Sequence, residues 1–442
     1  MTETVASASP QQHESAQEPA LSNRQRKKQQ RAQEKRQAAP TKRPKRDHPK
    51  PTPVVEYSIV NGYRLVKPYV YEFRTHAKER WYGRELLAIF TAEFGANSPD
   101  YYRFAIQSGR ITVNERIVGP DTVINNGDLI VHKTHRHEPP VSGEEIPIVH
   151  EDDDLLVVCK PPSITTHPSG AYRYNSLHLI LQHMRPDLPP LHIVHRLDRL
   201  TSGIVLLAKN AAKAKELSLC IAERQASKTY LARARGCFPT ALTPNAKLQL
   251  AQTAQAKCPA SSVTFTDADE LVISCPLRCV SAREGVYECH AEGKPSETVV
   301  SLVRNGSATC VFKCKPVTGR THQIRLHLQL IGFPIANDPC YGGQLHFGES
   351  QARLDEIALA TRAKEQLPPK RDGDYSRPQE DGETEDEFMQ RTCSWCYVGA
   401  DEAFNETQLH CSKIWLHALE YELDGQVFTA PEPSWAAPSE AY

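Results

Sequence analysis

Asp198 stands between Arg196 and Arg199 in "HRLDRLTSGIVLLAKN", His195 to Asn210, just before an apolar run from Ile204 to Ala208. Nearby guanidinium groups favour an ionised carboxylate. A charged, fixed carboxylate can act as a nucleophile or simply close a structural ion pair. In "ASKTYLARA", Lys228 and Tyr230 are two residues apart and share a face if the segment is a strand. A phenol there offers a flat stacking surface and a group that gives or takes a proton. In "CKPVTGRTHQIRLHLQLIGFPIAND", Val317-Thr318-Gly319 reads as a turn and Thr321 as an N-cap, and the helix ends by Gly332. That helix carries Ile324, His327 and Leu328 on one side and His322, Arg325 and Gln329 on another. Arg320, on its lip, can fork onto a carboxylate or phosphate.

The elements that must position these residues are legible in outline. "DDDLLVVCKPPS" predicts a buried strand over Leu155 to Val158, broken by Lys160-Pro161-Pro162. Ile204–Ala208 predicts a second strand, with Thr201-Ser202-Gly203 as the turn before it and Gly203 free to adopt a conformation closed to other residues. Asn210 caps a helix running through Lys215 to Glu223. Ahead of this block, "ERWYGRELLAIFTAEF" and Pro99 to Gln107 predict two short helices. They lead into "SGRITVNERIV…NNGDLI", with tight turns at Asn114-Glu115 and Gly127-Asp128. Two helices followed by short strands resemble the S4 RNA-binding module.

The 442 residues suffice for more than one domain, and 53 basic side chains balance 53 acidic ones. The charge is unevenly placed. Arg24 to Lys50 is strongly basic and predicts a solvated arm over residues 1–55 that suits polyanions or import receptors. Arg371 to Glu387 is acidic and poor in apolar residues, which predicts a disordered insertion over about 350–392. The remaining parts are a module over 56–138, the linker "HRHEPPV", and a second domain over 139–437. No secretory signal or membrane-spanning run is visible. Thirteen scattered cysteines read as reduced thiols of the cytoplasm or nucleus. The run Lys42 to Arg46 leans towards nuclear access, and a mitochondrial presequence is not evident.

Taken together, H-R-L-D-x-x-T-S-G, K-x-Y and T-G-R-T-H-Q-I-R-x-H resemble the RluA family of RNA pseudouridine synthases. "EDDDLLVVCKPPSITTHPSG", "GKPSET" and "GFPIANDPCYGG" support the likeness. The S4-like block and "IWLHALEYEL" point to its eukaryotic branch acting on tRNA position 32. The resemblance implies an α+β fold with an extended mixed, mainly antiparallel sheet. It implies isomerisation of uridine to pseudouridine, with Asp198 as nucleophile, Tyr230 packed on the base and Arg320 paired with Asp198. Arg196 would fill the gap left by the extruded nucleotide. Arg199, Lys228, His322 and Arg325, with Arg103, Arg110 and Arg116 of the S4-like block, are candidate RNA contacts. The partner implied is RNA, most simply tRNA, acted on by a monomer.

The reaction changes no oxidation state, so no cofactor is expected, and neither a Walker loop nor a dinucleotide fingerprint is found. No metal ligand is assigned. Cys393 and Cys396 have zinc-knuckle spacing, but His410 and Cys411 are adjacent, and His135 and His137 lack a nearby partner in sequence. Two other functions fit parts of the pattern: an inactive RNA-binding or chaperone protein that keeps the fold, or a synthase acting on ribosomal or messenger RNA. A zinc deaminase fits poorly, since "HAE" at His290 and Pro339-Cys340 lack the second cysteine.

Overall fold

The computed structural model describes residues 55–94, 97–282, 285–343, 379–380, 382–393, 396 and 412–437. The chain divides into Met1–Val54 and Val55–Tyr442. The basic arm, His410, Cys411 and most of the acidic insertion lie outside the described residues.

Alternation of aromatic and branched residues draws Tyr57–Val60 (β1) and Tyr63–Val66 (β2) into a hairpin. Its turn, Asn61-Gly62, has both residues at positive φ, as a two-residue hairpin requires. Next come Tyr69–His76 (β3), Ile111–Val113 (β4), Arg116–Ile117 (β5) and Leu129–Arg136 (β6), paired in the order β3-β6-β4-β5. Val141–Ser142 (β7) adds to the β1–β2 hairpin. Leu86–Glu93 (α1) and Pro99–Gln107 (α2) bury Leu86, Ile89, Phe90, Tyr102 and Ile106 against Ile111, Val113 and Ile130. The second helix starts where its signals lie, with Ser98 Oγ accepting from the Tyr101 N–H at 3.2 Å and Pro99 at its first position. Asn114 and Glu115 both take positive φ at the β4–β5 turn.

The rest is organised by an eleven-stranded mixed sheet. Its strands are Ile148–Glu151 (β8), Leu155–Lys160 (β9), His192–Ile193 (β10), Ser202–Ala208 (β11), Ser227–Arg235 (β12), Ser262–Phe265 (β13) and Leu271–Ser274 (β14). After the separate hairpin Leu277–Ser281 (β15) and Val286–Cys289 (β16), the sheet continues with Glu297–Asn305 (β17), Thr309–Pro316 (β18), Leu416–Leu423 (β19) and Gln426–Thr429 (β20). The main path runs β13-β14-β17-β18-β12-β19-β11-β9-β8, with β10 beside β11 and β20 beside β19.

Both faces of this sheet are covered, which is why β9 and β11 read as continuous apolar runs rather than alternating ones. Leu156, Val158, Val205 and Leu207 pack under Leu177–Met184 (α3), while Leu155, Val157, Ile204 and Leu206 face Leu217 of Ala211–Ala222 (α4). Asn210 caps α4 by accepting from the Lys213 N–H at 2.9 Å. Pro244–Lys257 (α5) and Gln323–Leu330 (α6) cover the half built from β12, β14, β17 and β18.

Three sequence expectations change here. Ser202 and Gly203 are not a turn but the start of β11, where they pair with His417 and Ala418 in the one parallel contact of the large sheet among the described residues. Gly203 has φ +113, and a Cβ there would lie 2.2 Å from the Ala418 carbonyl oxygen, so the requirement is close approach of two strands. Thr321 is not the N-cap of α6. His322 is, in a left-handed conformation with no side-chain cap bond, and the Gln323 amide oxygen accepts from the Arg320 N–H instead. Finally, the acidic insertion is not wholly unstructured. Glu385–Arg391 (α7) has a reciprocal capping box between Thr384 and Glu387 and buries Phe388 and Met389.

Candidate active site

Asp198 lies on the segment that leads into β11, and its side chain keeps 25% of its surface exposed. The segment is clamped from two sides. Thr166 Oγ1 donates to the Leu197 carbonyl at 3.1 Å and accepts from its N–H at 3.2 Å. Beneath it, the fully buried Lys160 donates to the carbonyls of Pro161, Ile164 and Arg199 at 2.9, 2.8 and 3.3 Å. Burial pulls the Lys160 ammonium down to about 7, against the nearby Asp198 charge, which favours the proton, and with Arg199, which opposes it. His195, at the head of the motif, accepts from the Leu206 N–H at 3.0 Å. Desolvation holds it neutral, pushed down to about 3, so it ties the loop to β11.

The cation beside Asp198 comes from α6. Arg325 Nη1 is 3.7 Å from Asp198 Oδ2, and its side chain is only 4% exposed. Its other nitrogens fork onto Asp338, at 2.6 Å through Nε and 2.8 Å through Nη2, and Asp338 is completely buried. The guanidinium also lies 4.7 Å from the Tyr341 ring centroid. Its position is thus set before any substrate arrives.

His322 Nε2 is also 3.7 Å from Asp198 Oδ2, and its Nδ1 is 2.7 Å from the Tyr341 hydroxyl. Burial lowers the imidazole below its ordinary value, against Asp198, which raises it. A non-glycine residue in left-handed backbone next to the Asp198 carboxylate marks a locally strained site.

Tyr230 projects from β12 between the two halves of the core, and desolvation followed by the Asp198 charge pushes its phenol well above the ordinary tyrosine range. It therefore remains a protonated hydroxyl close to Asp198.

Several assignments move. Arg320 is exposed, and its Nε donates to the Pro295 carbonyl at 3.1 Å, so the arginine that meets Asp198 is Arg325. Among the described residues no ion pair joins Asp198 to Arg196 or Arg199. Arg196 is exposed, and Arg199 lies 5.5 Å from the Tyr172 ring. Lys228 is half-buried with its amine 5.3 Å from the Tyr421 ring, which leaves it little surface for an RNA contact. Arg325 is likewise too buried for an RNA backbone contact. Arg110 is buried and donates to the Phe388 carbonyl and to Thr392 Oγ1 at 3.1 and 2.5 Å, so it holds α7. Arg103 and Arg116 remain exposed.

Lys160, Asp338 and Tyr341 were missed as members of the site. In sequence "CKPPS" marks the break after a strand and "GFPIANDPCYGG" a family-like string, and a buried lysine or aspartate gives no periodicity signal. The one available sign was a charged residue in each otherwise apolar context.

The chain belongs to the RNA pseudouridylate synthase family, whose model matches residues 154–330. Among curated relatives, "tRNA pseudouridine(32) synthase, mitochondrial" of Saccharomyces cerevisiae is 33% identical over 394 residues, covering 86% of this chain and 76% of the relative. "RNA pseudouridine synthase 7" of Oryza sativa is 35% identical, covering 86% of this chain and 92% of the relative. Human "Pseudouridylate synthase RPUSD2" is 38% identical over 298 residues, and the chain spans about half of it, 49%. A solved structure, "Human RNA Pseudouridylate Synthase Domain Containing 1", overlays on 68% of this chain and 88% of its own at 21% identity and TM-score 0.38.

Proposed function

We propose that this protein isomerises uridine to pseudouridine in tRNA, most simply uridine 32 of the anticodon loop. The observation that carries the reading is the quarter-exposed Asp198 carboxylate facing an Arg325 that Asp338 has already locked in place. The names of the Saccharomyces cerevisiae and Oryza sativa relatives support the reaction, and the former supports the position. A second Saccharomyces cerevisiae relative, 31% identical over 416 residues, is named for position 31, so the two names fall on neighbouring tRNA positions.

In this reading Asp198 attacks the nucleoside while the glycosidic bond breaks, and Arg325 balances its charge throughout. The detached uracil turns against the Tyr230 ring and re-bonds through carbon as the bond between Asp198 and the nucleoside breaks. The Tyr230 hydroxyl helps the proton lost from that carbon leave while the freed ring nitrogen takes one up. No redox partner is needed. The target base must leave its stack, which costs about a few kcal/mol, and in this reading the exposed Arg196 fills the space it vacates. Single-stranded loops suit this because their bases splay readily onto aromatic faces.

The module over 56–138 is taken as S4-like, with Arg103 and Arg116 on the RNA backbone. Such contacts release counterions, so binding should weaken steeply with salt. Among the described residues no helix is long and apolar enough to cross a membrane. A cytoplasmic or nuclear site of action rests on the basic arm, and one relative's name includes mitochondria.

Carbodiimide mapping of tRNA from cells lacking the protein, complemented with wild type or Asp198→Ala, tests the reading. Loss at position 32 restored only by wild type supports it. An unchanged tRNA map, with sites lost from ribosomal or messenger RNA, would move the substrate.

A further inference from the structure

Strand β6 ends at Arg136, and its extended course carries on through His137, so His135 and His137 point the same way two residues apart. Cys393 follows the last turn of α7, bonded through its N–H to the Gln390 carbonyl at 3.0 Å, and Cys396 comes three residues later. More than 250 residues separate the two pairs in sequence. In the fold they meet: the ligand atoms of all four lie within 4.8 Å of one another.

The individual distances are informative. His135 Nδ1 and His137 Nε2 are 3.3 Å apart. Cys396 Sγ is 3.4 Å from His135 Nδ1 and 3.3 Å from His137 Nε2, and Cys393 Sγ is 3.4 Å from the same His137 nitrogen. Tetrahedral zinc with Zn–N of about 2.0–2.1 Å and Zn–S of about 2.3 Å implies N···N of about 3.3–3.4 Å and N···S of about 3.5–3.6 Å. The observed separations match those edges to within about 0.3 Å. A hydrogen-bonded arrangement can bridge the two facing ring nitrogens with a single N–H, whereas a shared cation would engage both nitrogens and both sulfurs at once.

We propose that His135, His137, Cys393 and Cys396 form a structural zinc site that fastens the end of the insertion to the N-terminal module. Two thiolates and two imidazoles select zinc over hard cations such as magnesium or calcium. Four protein ligands leave no open position, so the role is structural rather than catalytic. There is a mechanical need for it. At seven residues α7 is too short to persist by itself. The zinc would add to other fastenings that include the burial of Phe388 and Met389, the Phe104–Phe388 ring contact, the Arg110 contacts and an exposed ion pair of Lys133 with Glu385 at 2.9 Å. The notion that His135 and His137 lack ligand partners, and that Cys393 and Cys396 would need His410 and Cys411, is corrected by this convergence.

The test uses the full-length chain, without a histidine tag and purified under reducing conditions. Elemental analysis should find one zinc per chain, and Cys393→Ser with Cys396→Ser should remove it while pseudouridine formation or far-UV circular dichroism reports a folded protein. Should that variant fail to fold, wild type reloaded with cobalt(II) provides the second measurement. Intense visible d–d bands with a thiolate charge-transfer band, suppressed by an equivalent of zinc, support the site. Wild type that stays metal-free after zinc addition, a variant that keeps its zinc, a Cys393–Cys396 disulfide in the reduced preparation, or weak octahedral cobalt bands would each overturn it.

Discussion

The chemistry proposed at Asp198 depends on a guanidinium that Asp338 holds in place, and this separates the two arginines of the α6 region. Arg325→Lys keeps the charge but loses the fork onto Asp338. It should lower kcat by about 100-fold, near 2.7 kcal/mol, with little change in KM. Arg320→Lys should leave kcat within about threefold, since that side chain is exposed and donates to the Pro295 carbonyl rather than facing Asp198. Steady-state kinetics on one tRNA substrate compares them. Asp338→Asn tests the lock itself. It leaves a buried guanidinium without its counter-charge and should cost about 3–5 kcal/mol, read as a lower urea midpoint. Asp198 stands out in sequence through the family-like motifs taken together, since its own segment leaves a nucleophile and a structural ion pair both open. The choice of Arg325 over Arg320 was not, because it turns on how α6 is seated, and that depends on Asp338 and Tyr341 from a later loop.

At the scale of elements, the site hangs on the contact between β11 and β19, where Asp198 is delivered. Gly203→Ala places a methyl group 2.2 Å from the Ala418 carbonyl, in a backbone conformation unsuited to alanine. It should cost about 3 kcal/mol. Gly425→Ala is the control: φ there is +76 but no atom lies within 4 Å of the new carbon, so about 1 kcal/mol is expected. Urea unfolding of both variants checks the difference. Elements set by local signals, such as α2 with its Ser98 cap and β9 with its apolar run, were readable directly. The strand status of Ser202 and Gly203 was not, because their pairing partner lies more than 200 residues away. The burial of Arg110 escaped for the same reason, as α7 covers it from the far side of the insertion.

The whole molecule carries a built-in sensitivity to acid. Burial pushes His327 and His417 down to about 4, so both are neutral in the fold across a range where the unfolded chain has them charged. Because the folded values lie below the unfolded one, the unfolded state binds more protons between about pH 6.5 and 4. Stability therefore falls as pH drops through that window, by up to about 2 kcal/mol per histidine at pH 5. Urea midpoints at pH 7.5 and 5 should show the loss with no change in slope, and replacing His327 by Gln should blunt it. The broad architecture was accessible from sequence because the family motifs fall in order along the chain. How the insertion returns to β6 was not, since neither half of that junction holds a complete pattern.

The central claim is that Asp198 performs the isomerisation, and the purified enzyme tests it most directly. Wild type and Asp198→Asn are each mixed with an unmodified tRNA transcript, and pseudouridine formation and RNA binding are measured side by side. The account predicts that the amide variant binds the RNA as wild type does yet forms no pseudouridine. Rearrangement at a wild-type rate in that variant would contradict it.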